Sequence, residues 1–160
     1  MIAYDNLTIH EKSFKYQDDI IKVVVQASSL TNQQAAELIT LVMKYLKYDQ
    51  FYIRSFIESV IIKTKEIDKS IKTVLLISPK NSSDIWCNIF PNKKIKRTSC
   101  DIISPHRKLV RLGFIKRMHR KNILVSIWTV NDEQDMKKFI KKKADFIITN
   151  YPDKAKNLVK

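Results

Sequence analysis

Short runs of β-branched and other apolar residues alternate with amphipathic helical patterns along most of this chain. Six of these runs are predicted strands: Ile20–Gln26, Gln50–Arg54, Lys72–Ser78, Asp101–Ser104, Asn122–Trp128 and Phe146–Thr149. They are almost wholly apolar, as is typical of strands in a parallel sheet that is covered on both faces. Strands that alternate with helices predict an α/β fold with right-handed crossovers. The pattern alone leaves two closures open, an open doubly wound sheet and part of a barrel.

Two capping boxes mark the starts of helices between these strands. Thr31 and Gln34 have the spacing of the first box and predict a helix over residues 32–48. Ser55 and Glu58 have the same spacing and predict a second capped helix. Each helix would carry the chain from the end of one strand to the start of the next.

Single residues indicate the helix boundaries later in the chain. Pro105 suits the first turn of a helix that would contain Gly113. Asn131 is expected to cap the next helix, and Pro152 is expected to start the last one. The stretch 79–99 is less regular, and we predict no helix or strand there.

The length of 160 residues favours a single domain, residues 1–160, with a substantial core. No stretch reaches the roughly 18 consecutive apolar residues of a membrane span. The first twelve residues lack the pattern of a secretory signal. Cys87 and Cys100 form no Cys-x-x-Cys pair and are expected to be reduced thiols, with Cys87 buried. We therefore expect a cytoplasmic protein.

The chain is strongly basic, with a formal net charge of +14. Its basic segments are 93–97, 107–121 and 137–143. Lysine far outnumbers arginine, which indicates compositional drift and solvated helix faces. The alternative is attraction to anionic lipid, which would place the protein peripherally at a membrane. Nucleic acid is the weaker interpretation, because the sequence has neither zinc-finger spacing nor an aromatic RNA-binding motif.

Several catalytic patterns are excluded or weakly supported. Gly113 is the only glycine, which excludes a P-loop and a GxGxxG turn. His10, His106 and His119 lack metal-ligand spacing, so zinc is not expected. His106 follows a predicted strand end, where the active face of a barrel would be, but a solvated histidine is the simpler interpretation.

Residues 123–153 closely resemble the end of the glycerophosphodiester phosphodiesterase family. In that family a strand ends in W-T-V-N, a helix follows, and the last strand resembles G-V-D-G-I-I-T-D-x-P. Residues 128–131 match the first motif. Six positions match the second: Asp145, Ile147, Ile148, Thr149, Pro152 and Asp153. Residues 53–56 and 104–121 also resemble segments of the family, and the resemblance is good from about residue 50 onward and weak before it.

The family folds as a (β/α)8 barrel, so the resemblance implies an incomplete TIM-type barrel of about six parallel strands with outer helices. Such a barrel usually needs about 200 residues or more, and we expect this chain to lack roughly two βα units at its amino-terminal end. Met1–Tyr4 would be a remnant of a further strand. Unpaired strand edges would invite self-association or a partner that supplies the missing part.

The resemblance also implies a reaction, the hydrolysis of glycerophosphodiesters to glycerol 3-phosphate and an alcohol in lipid metabolism. The family uses two histidines as acid and base, and carboxylates that hold calcium or magnesium. Its H-R-G and E-N-T motifs are absent here, and no predicted strand carries its E-x-D. Tyr4 stands where the second histidine would be, and Gln26 and Ser28 stand where an E-x-K would be.

These replacements predict that the chain alone is impaired or inactive, a truncated pseudoenzyme. A glutamine is neutral and cannot replace an anionic ligand of a hard cation. We therefore expect no catalytic residue, no metal ligand and no cofactor in this chain. The resemblance leaves one pocket residue, Trp128, as an apolar wall beside the substrate, with an ordinary core residue as the alternative.

The sequence thus predicts a glycerophosphodiester phosphodiesterase family member whose partner would be a glycerophosphodiester. Two other functions stay open. One is a non-catalytic binding or self-associating module. The other is a basic protein that binds anionic lipid or, less readily, nucleic acid.

Overall fold

A computed structural model describes residues 7–10, 23–27, 31–79 and 85–158 of the chain. Its sheet has seven strands whose spatial order follows the chain order. The strands are β1 (Leu7–His10), β2 (Val23–Ala27), β3 (Phe51–Ser55), β4 (Thr73–Ile77), β5 (Ile102–Pro105), β6 (Leu124–Ile127) and β7 (Phe146–Ile147). Each neighbouring pair from β2 to β7 is parallel. The six parallel strands predicted from the sequence are therefore confirmed.

Seven helices and one short 3₁₀ helix, Arg107–Leu109, accompany the sheet in the described part of the chain. The α-helices are α1 (Asn32–Tyr45), α2 (Glu58–Ile67), α3 (Ile85–Ile89), α4 (Asn92–Thr98), α5 (Phe114–His119), α6 (Glu133–Lys141) and α7 (Pro152–Asn157). The parallel strands curl into a half-barrel with helices outside. The expected incomplete α/β barrel is confirmed, and of the two closures that the pattern left open, the barrel is correct.

On the strands from β3 onward, alternate residues pack against the helices. On β3, Phe51 and Ile53 join a buried cluster with Leu38 and Ile39 of α1. On the later strands the corresponding positions belong to one larger buried cluster, which contains Leu75, Ile77, Ile103, Val125 and Ile127. Because side chains alternate across a strand, the intervening residues face the interior of the half-barrel.

The first strand differs from the prediction. β1 is antiparallel to β2, with Leu7 opposite Ala27 and His10 opposite Val24. The predicted remnant Met1–Tyr4 and the predicted start of the next strand at Ile20 lie outside the described residues. Regular β/α alternation predicts parallel pairing and gives no sign of an added antiparallel strand.

The capping predictions are half right. Thr31 and Gln34 form the predicted box, with the Gln34 amide donating to Thr31 Oγ1 at 3.3 Å and the Thr31 amide donating to Gln34 Oε1 at 3.0 Å. The Ser55 box is wrong, because Ser55 is the last residue of β3 and its Oγ accepts from the Ile57 amide at 3.0 Å. The α2 helix therefore starts without a side-chain cap.

Three later boundaries also need correction. Pro105 closes β5 and does not open a helix. Gly113 lies outside a helix, at the start of α5, with φ of 67°, a left-handed conformation that glycine adopts without strain. Asp132 replaces Asn131 as the cap of α6, because its Oδ1 accepts from the Asp135 amide at 3.0 Å.

The irregular stretch 79–99 contains α3 and α4, which the sequence did not predict. Cys87 lies on α3 and is exposed, contrary to the expectation of burial, whereas Cys100 is buried. Neither forms a disulfide. Within the described ranges, no helix has the length and apolar character needed to cross a membrane.

Candidate functional site at the carboxyl ends of the strands

Trp128 is fixed over the carboxyl ends of β5 and β6. Its amide donates to Pro105 O at 3.1 Å, and its carbonyl accepts from the Arg107 amide at 2.7 Å. Its indole Nε1 donates to Ser104 O at 2.8 Å. These three bonds hold the ring in one orientation, so the indole is a rigid wall at this end of the half-barrel.

Two aromatic rings meet Trp128 edge-on. The Phe56 centroid lies 5.5 Å away at an interplanar angle of 80°, and the His106 centroid lies 5.1 Å away at 80°. Phe56 follows β3, and His106 follows β5 and forms a parallel bridge with Trp128. We call Phe56, His106 and Trp128 the aromatic cluster. His106 thus lies at the end of the sheet that the sequence indicated.

His106 is a neutral hydrogen-bond donor at pH 7. Partial burial, and then the charges of Arg107 and Lys108, lower its pKa below the usual value near 6.5. Its Nδ1 accepts from the Lys108 amide at 3.3 Å, which assigns the remaining proton to Nε2. The Nε2–H group is therefore available to donate to an oxygen atom.

A positive charge lies one layer deeper in the half-barrel. On β3, Arg54 alternates with the helix-facing Ile53, and it is half-buried. Burial lowers the pKa of its guanidinium, which is nonetheless charged at any physiological pH. In the strand register Arg54 pairs with Gln26 of β2. Sequence reasoning missed Arg54, although an arginine at the end of a predicted apolar strand is a signal that could have found it.

Two buried serines lie on the same interior face. Ser104 of β5 is fully buried, and Ser126 of β6 is nearly so. Ser104 Oγ has no hydrogen-bond partner among the described residues. Trp128 comes two residues after Ser126, so both project to the same face, and the Ser104 carbonyl accepts the indole N–H of Trp128.

Two carboxylates near this end, Glu58 and Asp135, are already paired with cations. Glu58 accepts from Arg97 and lies 3.7 Å from Lys94 Nζ. Asp135 lies 2.7 Å from Arg107 Nη1 and also binds Lys138. Among the described residues, no three histidine, cysteine or acidic side chains come together. Because calcium and magnesium need several oxygen ligands that include carboxylates, this donor set does not fit a divalent cation.

Two E-x-D triplets do occur in the sequence, and both lie on helices or at their ends. Glu66–Asp68 ends α2, where Asp68 Oδ2 accepts from Tyr48 Oη at 2.6 Å. Glu133–Asp135 opens α6. Neither triplet lies on a strand, so neither projects into the half-barrel as the motif of the resembled family does.

The other candidate residues lie elsewhere. His119 Nε2 lies 2.7 Å from Asp145 Oδ2 at the amino ends of β6 and β7, the opposite end from Trp128. His10 and Gln26 belong to β1 and β2, of which only the backbone is described. Tyr4 and Ser28 lie outside the described residues.

The two motifs near the carboxyl terminus bind each other. Asn131 Oδ1 accepts from Thr149 Oγ1 at 3.3 Å and from the Asn150 amide at 3.0 Å. The Val130 amide donates to Ile148 O at 2.9 Å. Most of the W-T-V-N and I-I-T residues therefore join β6 to β7. Of the residues in these two motifs, Trp128 is the one that belongs to the aromatic cluster.

A depression of about 540 Å³ lies next to the connection between α1 and β3. It is lined by Met43, Leu46, Lys47, Tyr48 and Asp49. This connection leads into the amino end of β3, so the depression is separate from the aromatic cluster. It contains one carboxylate and one amine and no convergent set of polar groups, so we do not assign chemistry to it.

The comparisons with known proteins agree with this geometry. Residues 5–154 match the model of the glycerophosphoryl diester phosphodiesterase family. A search of the curated proteins gave no match. The solved glycerophosphodiester phosphodiesterase from Parabacteroides distasonis superposes with a TM-score of 0.72 at 16% identity, covering 87% of this chain and 57% of that one.

Two further solved structures share the fold. An Oleispira antarctica phosphodiesterase in complex with sn-glycerol-3-phosphate superposes with a TM-score of 0.66 at 16% identity, covering 80% of this chain and 49% of that one. An EAL domain protein from Listeria monocytogenes gives 0.59 at 14% identity, covering 82% and 59%. The chain thus spans about half the length of the solved structures that it matches.

Proposed function

The chain belongs to the glycerophosphoryl diester phosphodiesterase family, and on that premise we propose that its carboxyl-end site binds the glycerophosphate part of a glycerophosphodiester. The observation that carries the proposal is the aromatic cluster together with Arg54, which lies two residues before Phe56 and therefore projects to the same face. It combines a rigid apolar wall, a neutral N–H donor and a half-buried positive charge within one end of the half-barrel.

Each group has a distinct role in this proposal. Arg54 contributes a positive charge that attracts the phosphate. His106 Nε2–H donates to a phosphate or glycerol oxygen. Trp128 packs against the glycerol carbons, and because Ser104 O already takes its N–H, it contributes a surface and no hydrogen bond.

We further propose that this chain by itself hydrolyses such a diester slowly or not at all. The described carboxyl ends carry one histidine, and Glu58 and Asp135 there are paired with cations. Asp132 and Asp153 are exposed at the starts of α6 and α7, and Asp132 accepts from the α6 backbone. General acid–base hydrolysis needs one group that takes a proton from water and one that gives a proton to the leaving alcohol. His106 could do only one of these, and the described residues do not fit the metal that would activate the water.

The binding test titrates sn-glycerol 3-phosphate into the pure chain, followed by calorimetry or NMR. We expect Trp128→Leu to weaken the affinity by about tenfold, because the aromatic wall is lost. Trp86→Leu is the matched control, since Trp86 is the other tryptophan and lies outside the aromatic cluster. No binding at millimolar ligand, or equal losses in the two variants, would overturn the proposed site.

The activity test is separate. Pure chain is incubated with glycerophosphocholine and either calcium or magnesium, and the release of glycerol 3-phosphate is measured. We expect no metal-dependent turnover. Turnover that disappears on chelation would contradict the proposed loss of activity and would leave the binding proposal intact.

A second candidate is a self-associating or partner-binding module. The observation that favours it is the edge of the described sheet at β7, where β6 is the only strand partner. Unpaired backbone groups at such an edge can accept a strand from another chain. Light scattering tests it: a concentration-dependent mass supports association, and a monomer at all concentrations counts against it.

A further inference from the structure

Three large apolar side chains lie exposed on neighbouring connections after β4 and β5. Trp86 is 66% exposed, Leu112 is 64% exposed and Phe90 is 41% exposed. Trp86 stacks on Phe90 at a centroid distance of 6.2 Å and an angle of 12°. We call these three residues the exposed apolar patch.

Arg117 joins the two connections that carry the patch. Its Nη2 donates to Ile89 O at 2.7 Å, and its Nη1 donates to Leu112 O. Its guanidinium carbon lies 4.6 Å from the centre of the Phe90 ring. One side chain thus fixes both backbones and packs on Phe90, while Trp86 and Leu112 stay uncovered.

The sequence around the patch is mostly basic. Residues 84–131 contain eleven lysines and arginines and two carboxylates, Asp84 and Asp101, of which Asp101 lies at the amino ends of the strands. Of the basic residues in this range, Lys94, Arg97 and Arg107 are paired with carboxylates. Three exposed basic side chains that are close to the patch in the sequence have no ion pair within the described part of the chain: Lys93, Arg111 and Lys116.

We propose that the exposed apolar patch and these three basic residues dock the protein on an anionic membrane surface. Tryptophan, phenylalanine and leucine lie favourably at the boundary between headgroups and acyl chains, and surrounding lysines and arginines pair with anionic headgroups. The positive charge of the three basic residues favours a partner with an acidic surface. The exposed apolar side chains, whose connections Arg117 holds in place, indicate a partner with an apolar interior. An anionic bilayer supplies both.

The docked orientation follows from the strand ends. Asn88 Nδ2 donates to Ser78 O at 2.9 Å and so anchors α3 to the carboxyl end of β4. Leu112 belongs to the connection that leaves the carboxyl end of β5 through His106. The patch therefore lies at the same end of the half-barrel as the aromatic cluster, and docking would turn that end toward the membrane. The proposal does not require that glycerophosphate binds there.

The test is sedimentation of the pure chain with vesicles of phosphatidylcholine alone or with about a third phosphatidylglycerol, at low salt. We expect binding to the anionic vesicles only. Lys93→Gln, Arg111→Gln and Lys116→Gln should each weaken it by about fivefold. The three changes combined are compared with a matched control that combines Lys141→Gln, Lys142→Gln and Lys143→Gln at the end of α6, which removes the same charge away from the patch.

The apolar contribution is tested with Trp86→Ser combined with Leu112→Asn. Both side chains are exposed, and asparagine tolerates the positive φ of 49° at position 112, so the fold should be kept. We expect a loss of vesicle affinity of about tenfold or more. Tyr45→Ser on α1 is the control, because Tyr45 is equally exposed and distant in the chain. Circular dichroism checks folding of each variant.

Fluorescence gives an independent readout. In a Trp128→Phe background Trp86 is the only tryptophan, and its emission should shift to the blue on anionic vesicles. Three results would overturn the proposal: no sedimentation at low salt, binding that the patch variants leave unchanged, or tighter binding to a single-stranded oligonucleotide that Trp86→Ser abolishes. The last result would assign the patch to nucleic acid.

Discussion

The two ends of the sheet use charge in opposite ways. At the amino ends, Asp101 and Asp145 each bind a backbone amide and a side-chain donor. At the carboxyl ends, the aromatic cluster shares the interior face of the half-barrel with Arg54, and the carboxylates Glu58 and Asp135 lie on the helices that follow the strands. In α/β barrels the carboxyl end carries function and the amino end carries stability. The carboxylates retained at the ends of the described strands are therefore the ones that hold the fold together.

The same arrangement of a carboxylate, a side-chain donor and a backbone amide occurs twice at the amino ends. In the first, Lys65 lies on α2 before β4, and Asp101 lies just before β5. Asp101 Oδ2 accepts from Lys65 Nζ at 2.7 Å and from the Thr73 amide at 2.8 Å. We call this the first amino-end cluster.

The second amino-end cluster has His119 on α5 before β6, and Asp145 just before β7. Asp145 Oδ2 lies 2.7 Å from His119 Nε2 and accepts from the Val125 amide at 2.8 Å. In both clusters a carboxylate ties the start of the preceding strand to the helix that leads into it. The two clusters differ mainly in the number and charge of the donors.

The largest effect is expected from Asp101→Ala. It leaves Lys65, whose side chain is 13% exposed, without its carboxylate, and it removes the acceptor of the Thr73 amide. Breaking a buried pair in this way costs about 3 kcal/mol of unfolding free energy. Urea denaturation measures it. Lys72→Gln is the control, because Lys72 is 57% exposed on the same carboxylate and should change stability by about 0.5 kcal/mol or less.

A smaller effect is expected from Asp145→Ala. This carboxylate accepts from one imidazole and one amide, whereas Asp101 also accepts from the Thr73 hydroxyl and lies near a second lysine. We expect a loss of about 2 kcal/mol in the same urea experiment. A loss larger than that of Asp101→Ala would break the proposed ranking of the two clusters.

Acid should weaken the first amino-end cluster. Burial acts to raise the pKa of Asp101, but the Lys65 and Thr73 hydrogen bonds and the charges of Lys65 and Lys72 outweigh it, so the pKa lies below its usual value. The stabilisation is fully present above the unfolded-state value, near about pH 4, and is lost as the pH falls through the lower folded value. Urea midpoints measured between neutral and acid pH should fall less steeply for Asp101→Asn than for the wild-type chain.

The sequence predicts the sheet far better than the site. Apolar runs repeat once per βα unit, so the six parallel strands follow from periodicity, and the W-T-V-N segment identifies the family. Two connections were misjudged because their structure depends on tertiary contacts. One is α3, which is tied to Ser78 through Asn88, and the other is the stretch 106–113, where a 3₁₀ helix and a left-handed Gly113 replace a continuous helix.

The site itself needs the strand register. Trp128 was found through its motif, but Phe56 comes from a strand that is remote in the chain, and only the barrel brings the two rings together. Arg54 was missed because, in the sequence, it reads as the polar end of an apolar strand. Interior and helix-facing positions of β3 can be told apart only after Phe51 and Ile53 are seen to pack on α1.

The smallest effect is expected at the two histidines, His106 at the carboxyl end of the sheet and His119 at the amino end, and it concerns their titration and their response to ligand. Burial, and then the charges of Arg107 and Lys108, lower the pKa of His106. Near pH 6 the folded protein therefore binds fewer protons at His106 than the unfolded chain does, so the stability of the fold rises slightly with pH. NMR titration of the imidazole protons should give a midpoint for His106 below about 6.5, and Lys108→Gln should raise it slightly by removing one nearby charge. Glycerol 3-phosphate, an anion, should raise the His106 midpoint further if it binds beside the aromatic cluster, and should leave the His119 resonances unchanged, because they lie at the other end of the sheet. Equal ligand shifts at both histidines would remove the functional distinction between the two ends.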